Sequence, residues 1–287
     1  MKFAFSTVSS PTWDFDTLLV RAKEYGYDGV EIRVLADRTA ANPFLVDPAK
    51  LRQQFEGAGV ELCCLASSVA MMQNKRRDAK QADELRLYID LAQCLGCRMV
   101  KIFDTQVKPG WSRESTGVLL GNWLVPLADY AAEHDVCVAV ENALSFRNAK
   151  EMWSIVDRIN HPSVGVAWDL FNAAMVGEGP AYSVPTLNSK IVYAQVKDAK
   201  FGPLGATYVK IGEGDVKVRE FVRRLRGVGY EEYVTVEWEK AWLPNLAGPE
   251  EILPDAIAKL REWDKKLEIS DWENDAEAKK PAAAAKH

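Results

Sequence analysis

The sequence predicts a single-domain parallel α/β fold, a closed (β/α)8 barrel, over residues 1–267. Short runs of β-branched and aliphatic residues alternate along the chain with segments that have helical apolar spacing. Several of the helical segments end in a glycine just before the next run begins, as helix C-termini commonly do. Strict alternation of strand and helix gives right-handed βαβ units and a parallel sheet, and eight such units suit a closed barrel.

The candidate strands number eight. They are residues 2–7, 29–34, 61–67, 98–103, 137–142, 165–169, 192–198 and 233–238. The clearest helical segments are 15–26, 83–96, 124–134, 149–159, 218–229 and 250–267. A doubly wound open sheet is the alternative, but no GxGxxG follows the first strand and no GK[ST] occurs. The absence of these nucleotide-binding signatures favours the barrel.

Composition indicates a soluble globular protein with a sizeable core. Hydrophobic residues make up 48% and charged residues 27% of the 287 residues. The formal net charge of −5, with basic and acidic side chains interleaved, argues against nucleic acid as a partner. No apolar run has the length of a signal peptide or a membrane span, so we predict a cytoplasmic protein with no membrane partner. Residues 268–287 have no packing pattern and are predicted to form a flexible C-terminal tail.

The last four predicted strands carry polar residues on one face, near their carboxyl ends. Because side chains alternate faces along a strand, the bulkier set, such as Val138 and Val140 in the fifth strand, should pack against the helices. The opposite set should face the barrel lumen. Near the carboxyl ends the lumen-facing residues are Glu141, Asp169, Gln195 and Glu237. These side chains are therefore predicted to meet at the mouth of the barrel, where barrel enzymes place their chemistry.

The predicted meeting of Glu141, Asp169 and Glu237 would bury three carboxylates together. Without a counter-charge this is costly, since unpaired buried charges are driven to neutralise. A divalent cation resolves the conflict, and ligation by carboxylates and an amide suits Mn²⁺ or Mg²⁺ better than a structural zinc. Each acid alone is more often a helix cap or a salt-bridge partner. Because all share one parity in neighbouring strands, the set predicts a metal site, with other divalent metals left open.

Several segments of the chain resemble one known family. They are GYDGVEIR at 26–33, VAVEN at 138–142, GVAWDLFNA at 165–173, QVKDAK at 195–200, IGEGDV at 211–216 and GYEEYVTVEWE at 229–239. Together they are similar to the sugar phosphate isomerase and epimerase family, whose fold is a xylose-isomerase-like TIM barrel. The resemblance covers roughly residues 2–262. It implies that Glu141, Asp169, Gln195 and Glu237 bind the metal.

The resemblance implies an isomerase or epimerase that acts on a polyhydroxylated carbonyl substrate: a sugar, an inositol-like ketone or a small hydroxy-keto compound. Its chemistry is proton transfer through an enediolate, with Glu141 and Glu237 as acid and base as well as ligands. Many epimerases of the family have His where this chain has Gln195 and Asn172. Gln at the third ligand position is closer to the hydroxypyruvate isomerases and the 3-dehydroshikimate dehydratases, so a metal-dependent lyase is the alternative. A non-catalytic barrel subunit is a third hypothesis, against which the intact acids argue.

A DNA-repair function is disfavoured. The related abasic-site endonucleases hold several zinc ions with histidines, and this chain has only His134, His161 and His287. None of the three stands at a candidate strand end. The shortage of histidine ligands and the net negative charge therefore both argue against this function.

Four further residues are predicted to bind substrate. Lys197 shares the parity of Gln195 and could polarise a substrate oxygen or hold a carboxylate, with Asp198 as its supporting partner. A plain ion pair of Lys197 with an acid is the alternative. Arg33 is predicted at the mouth, facing an anionic or hydroxyl group, while Glu31 on the same strand is predicted to pair within the barrel. Asn172 either hydrogen-bonds a hydroxyl or caps the following helix, and Trp13 is a candidate wall of the pocket. The resemblance also makes a homo-oligomer an open expectation, although no interface can be identified.

Overall fold

The structure is a computed structural model and describes residues 1–33 and 47–265. The barrel strands are β1 (Lys2–Ser6), β2 (Gly29–Arg33), β3 (Glu61–Ala66), β4 (Met99–Phe103), β5 (Cys137–Glu141), β6 (Val164–Asp169), β7 (Ile191–Val196) and β10 (Tyr233–Val236), while β8 (Asp198–Gly202) and β9 (Gly205–Val209) lie outside the barrel. The eight barrel strands are parallel and close in the order β1-β10-β7-β6-β5-β4-β3-β2. The predicted (β/α)8 barrel is thus confirmed.

Helices surround the barrel. They are α1 (Phe15–Tyr25), α2 (Pro48–Ala58), α3 (Lys75–Leu95), α4 (Arg113–Glu133), α5 (Ala149–Ile159), α6 (Leu170–Ala174), α7 (Pro180–Leu187), α8 (Val218–Gly227) and α9 (Pro249–Trp263). The third begins about two turns and the fourth about three turns before the apolar spacing predicts, because their first turns are polar and exposed. Apolar spacing also missed α2, which buries only Leu51 and Phe55, and the short α6 and α7.

Local sequence sets where the helices begin and end. Asp14 accepts a hydrogen bond from the Thr17 N–H and so caps the first turn of α1, and Asn74 does the same for α3 through the Arg77 N–H. Gly96 ends α3 in the left-handed conformation, with φ of 71°, which costs glycine little. Each βα unit therefore starts and stops within a few residues of its strand.

The barrel wall separates two apolar layers. The outer layer, between strands and helices, includes Val138, Val140 and Trp168. The lumen is filled at mid-depth and below by a second cluster of buried residues: Ala4, Cys63, Cys64, Ala139, Ala167, Tyr193 and Tyr233. Four of these residues, Ala139, Ala167, Tyr193 and Tyr233, lie on strands five to eight and have the parity predicted there for the lumen. Residues farther along the same faces consequently point into the carboxyl end of the barrel.

An antiparallel hairpin interrupts the alternation after the seventh barrel strand. Its strands β8 and β9 pair Asp198 with Val209. The predicted seventh strand, 192–198, therefore ends two residues early, at Val196. Asp198 serves as a local anchor, since its carboxylate accepts the N–H groups of Ala199, Gly212, Gly214 and Val216. This anchoring holds the hairpin beside the barrel mouth.

The predicted tail, 268–287, and Val34 of the predicted second strand lie outside the described residues. Within residues 1–33 and 47–265, none of the helices is both long enough and apolar enough to cross a lipid bilayer.

Candidate active site

Three buried carboxylates meet at the carboxyl end of the barrel. Glu141 and Asp169 are the last residues of β5 and β6, and Glu237 directly follows β10. Each offers one oxygen to a group of three in which all the atoms lie within 4.8 Å of one another. The parallel sheet causes this convergence, because lumen-facing residues at neighbouring strand ends share one rim. Such an acidic cluster could hold a metal ion.

Gln195 lies beside these acids. It is the register partner of Asp169 across the β6–β7 pairing and is fully buried. Its Nε2 donates to Glu237 Oε1 over 3.0 Å, whereas its Oε1 has no hydrogen-bond partner. A buried amide oxygen without a donor is costly unless a ligand supplies the missing contact. The structure thus brings the four predicted ligand residues together.

Lys197 bridges the acids. Its Nζ lies 2.9 Å from Asp169 Oδ2, 2.6 Å from Glu237 Oε2 and 2.8 Å from Glu239 Oε1. The predicted ion pair is therefore present, and it involves three carboxylates instead of one. Asp198, which the sequence suggested as the partner of Lys197, binds backbone N–H groups instead.

A second buried lysine, Lys101 on β4, was not among the residues singled out from the sequence. Its Nζ lies 3.0 Å from Glu141 Oε2, 3.3 Å from Glu31 Oε2 and 3.5 Å from Glu237 Oε1. This is the partner that Glu31 was expected to find within the barrel. Lys101 has the lumen-facing parity of the fourth strand, so the face analysis used for strands five to eight would have found it.

The charges at the mouth do not cancel. Among the described residues, and with every group ionised, five carboxylates face three cationic side chains, which leaves a formal charge of −2. The carboxylates are Glu31, Glu141, Asp169, Glu237 and Glu239, and the cations are Arg33, Lys101 and Lys197. One divalent cation would neutralise the remainder.

Burial favours the neutral form of both glutamates, but the nearby lysines offset it to different extents. It raises the pKa of Glu141 to about 7, against the opposing attraction of Lys101. Burial also favours the neutral form of Glu237, but Lys197 and Lys101 outweigh it and hold the pKa of that carboxyl well below its usual range. The carboxylates in turn raise the pKa of both lysines despite burial. Glu237 is therefore ionised near neutral pH, where Glu141 changes protonation state.

The other predicted substrate contacts have distinct surroundings. Arg33 is buried at the end of β2 and donates to Ser67 O and Ser68 Oγ. Asn172 is not the helix cap that the sequence suggested, because Asp169 Oδ1 accepts the N–H of Asn172 and itself caps α6.

Trp13 packs edge-on against Phe5, and its Nε1 donates to Glu250 at the start of α9. This tryptophan belongs to the apolar layer outside the barrel wall. The structure gives it no contact with the acid cluster among the described residues, so its role as a pocket wall remains a prediction.

The chain matches the family described as xylose isomerase-like TIM barrel over residues 19–263. It belongs to that family. Among curated proteins, it is 20% identical over 244 residues to an uncharacterized protein of Methanocaldococcus jannaschii, covering 83% of each chain.

Three solved structures have the same fold. The IolI protein with a bound zinc atom has a TM-score of 0.80 at 19% identity, covering 92% of this chain and 98% of that one. A D-allulose 3-epimerase from Methylomonas sp., in complex with D-allulose, has a TM-score of 0.74 at 18% identity, covering 91% of this chain and 96% of that one. The probable 3-DHS dehydratase AsbF from Bacillus anthracis has a TM-score of 0.71 at 14% identity, covering 93% of this chain and 100% of that one. At these identities the similarity establishes the fold.

Proposed function

We propose that the protein is a divalent-metal-dependent isomerase or epimerase that acts on a polyhydroxylated carbonyl compound by proton transfer through an enediolate. The observation that carries this proposal is the convergence of Glu141, Asp169 and Glu237 within 4.8 Å at the mouth of the barrel. An epimerase and the IolI protein among the structural relatives support the same class of chemistry.

The donor set fits a divalent cation. Glu141, Asp169, Gln195 and Glu237 would hold it, since the free oxygen of Gln195 and the residual negative charge both call for a cation. Hydrogen bonds from the lysines are compatible with ligation, because each carboxylate oxygen has a second lone pair. An all-oxygen set suits Mn²⁺ or Mg²⁺. When bound, such an ion polarises a carbonyl and acidifies the neighbouring C–H.

The two glutamates are suited to move the proton. Two strands, β7 and β6, separate β10 from β5 around the barrel, so Glu237 and Glu141 approach the mouth from different sides. A substrate carbon between them has one carboxylate to accept its proton and one carboxyl to return a proton to the opposite face or the adjacent carbon. Lys197 donates to three carboxylates in this structure, so it would exchange one of them to donate to a substrate oxygen.

A lyase is the second candidate. β-Elimination starts with the same proton abstraction, and the fold similarity to a probable dehydratase supports it. A non-catalytic barrel is the third, and it would not bind Mn²⁺. The absence of nucleic-acid and membrane partners, a cytoplasmic location and a homo-oligomeric state stay predictions.

The test combines metal binding with isotope exchange. We expect Mn²⁺ to bind the wild-type protein in calorimetry and to raise its melting temperature, and we expect Asp169→Asn to weaken both effects. Mn²⁺-dependent incorporation of deuterium from D₂O into a ketose or 2-keto acid would report C–H abstraction, and product mass would separate an isomer from a dehydrated product. A wild-type protein that binds no Mn²⁺ and exchanges no deuterium would refute the proposal.

A further inference from the structure

Arg33, at the end of β2, is a buried cation that forms no salt bridge among the described residues, although its charge acts on Glu237 from beyond contact distance. Only 8% of the residue is exposed. Its Nη1 donates to Ser67 O over 3.3 Å and its Nη2 to Ser68 Oγ over 3.4 Å, both long contacts, and its Nε has no hydrogen-bond partner. Burying a guanidinium this way is costly unless an anion joins it. The arrangement therefore calls for an anionic ligand.

The guanidinium lies between the segments that carry the proposed acid and base. Its Cζ is 4.9 Å from the centre of the Phe103 ring and 5.9 Å from that of Trp242. Phe103 is the register partner of Glu141 across the β4–β5 pairing, and Trp242 follows Glu237 by five residues. The aromatic rings shield the guanidinium from water, which strengthens an ion pair formed there. An anion at Arg33 would thus belong to a molecule that also reaches the acid cluster.

We propose that Arg33 binds a carboxylate of the substrate, so that the substrate is a hydroxylated keto acid and not a neutral sugar. This inference rests on the proposed function, because it takes Glu141 and Glu237 to act on a carbonyl compound in the same mouth. A single guanidinium matches the one charge and two oxygens of a carboxylate.

A phosphate monoester suits the subsite less well. It carries nearly two negative charges and three acceptor oxygens, which one guanidinium does not satisfy. The neighbouring cations, Lys101 and Lys197, are each already engaged with three carboxylates. The described surroundings of Arg33 therefore favour a carboxylate over a phosphate.

Three compounds with one carbon skeleton provide the test: 2-keto-D-gluconate, D-fructose and D-fructose 1-phosphate carry a carboxylate, a hydroxymethyl group and a phosphate ester at C1. Hydroxypyruvate and dihydroxyacetone form a matched three-carbon pair. Binding to the Mn²⁺-loaded protein is measured by calorimetry, and deuterium exchange is measured separately. The variants are Arg33→Met, Arg33→Lys and, as a matched control, Arg98→Met, which removes an exposed arginine at the opposite end of the barrel.

We expect wild-type protein to bind at least one keto acid about 10- to 100-fold more tightly than its neutral counterpart, the range for a hydrogen-bonded charge. Arg33→Met should abolish that preference, while the protein still binds Mn²⁺ and the neutral compound. Arg33→Lys should keep part of the preference, which makes the test independent of whether Arg33→Met folds. Arg98→Met should behave as wild type.

Three results would overturn the carboxylate subsite: equal binding of acid and neutral compound by the wild type, an undiminished preference in both Arg33 variants, or tighter binding of the phosphate ester. Exchange on D-fructose without a carboxylate preference would reject the subsite and leave the proposed function standing. A preference that depends on Arg33, with exchange on none of the compounds, would support the subsite and count against the proposed function.

Discussion

The two ends of the barrel are made from the same strands but treat their polar groups differently. At the amino end, Lys2 Nζ lies 2.7 Å from Glu61 Oε1, and the Tyr233 hydroxyl donates to Glu61 Oε2 over 2.8 Å. Slightly deeper, Thr235 Oγ1 donates to the Tyr193 hydroxyl over 2.6 Å. A cavity of about 650 Å³ opens at this end. The side chains of Lys2, Glu61, Tyr233, Thr235 and Tyr193 nevertheless have partners, and the Lys2–Glu61 pair is about half exposed.

At the carboxyl end, charges are buried and crowded, and several polar atoms lack partners among the described residues. These atoms include Ser6 Oγ, Arg33 Nε and Gln195 Oε1. Buried groups left unsatisfied by the protein are unusual and are tolerated where a ligand completes them. Desolvated charge and missing hydrogen-bond partners therefore favour the carboxyl end as the candidate site, although the 650 Å³ cavity opens at the amino end.

The largest expected difference between the ends is in catalysis. Glu141→Gln and Glu237→Gln should each lower Mn²⁺-dependent deuterium exchange by about 100- to 10,000-fold, because each removes a group that transfers a proton. Glu61→Gln, the same change at the amino end, is the matched control and should retain wild-type exchange. Near-normal exchange in both active-site variants would contradict the assignment of acid and base.

The next largest effect concerns stability. Lys101→Met leaves Glu31 and Glu141 without their buried counter-charge, so we expect the free energy of unfolding to fall by about 3–5 kcal/mol. Adding Glu31→Gln removes one of the stranded charges and should restore part of that loss. Urea unfolding of the wild type, both single variants and the double variant measures the coupling.

Metal binding provides a second readout for the same variant. If a divalent cation and Lys101 neutralise the same acids, Mn²⁺ should raise the melting temperature of Lys101→Met by more than it raises that of wild type. An equal rise in both proteins would show that the lysine and the metal site act independently.

The sequence predicts the barrel well because each strand is short, apolar and bounded by a helix stop. It also predicts the acid cluster, since strand parity alone assigns Glu141, Asp169, Gln195 and Glu237 to one rim. Parity says nothing about which charges pair across the lumen, because this depends on the register of distant strands. Parity places Lys101 of β4 and Glu31 of β2 on the lumen side, but it does not predict that these two charges pair.

Other features depend on backbone geometry that apolar spacing does not record. The β8–β9 hairpin is half-exposed and has no apolar alternation, and its anchor, Asp198, binds N–H groups from residues as distant as Val216. A carboxylate that follows a strand has the same sequence signature whether it binds a side chain or backbone N–H groups. The sequence therefore favoured the wrong partner for Asp198.

The smallest expected effect is the loss of stability when the Lys2–Glu61 pair at the amino end is removed. Burial alone would raise the pKa of Glu61, but hydrogen bonds from Lys2 and Tyr233 outweigh it and lower that pKa below its ordinary value. A lowered carboxyl pKa stabilises the folded state above the ordinary pKa, and that stabilisation is lost as the pH falls through the lowered value. Because both side chains are about half exposed, Glu61→Gln should cost only about 0.2–1 kcal/mol at neutral pH. Urea unfolding at several pH values should show this difference shrinking below about pH 4. A stability difference that grows in acid, or one as large as that of Lys101→Met, would contradict this comparison. It would mean that the exposed pair at the amino end contributes as the buried charges at the carboxyl end do.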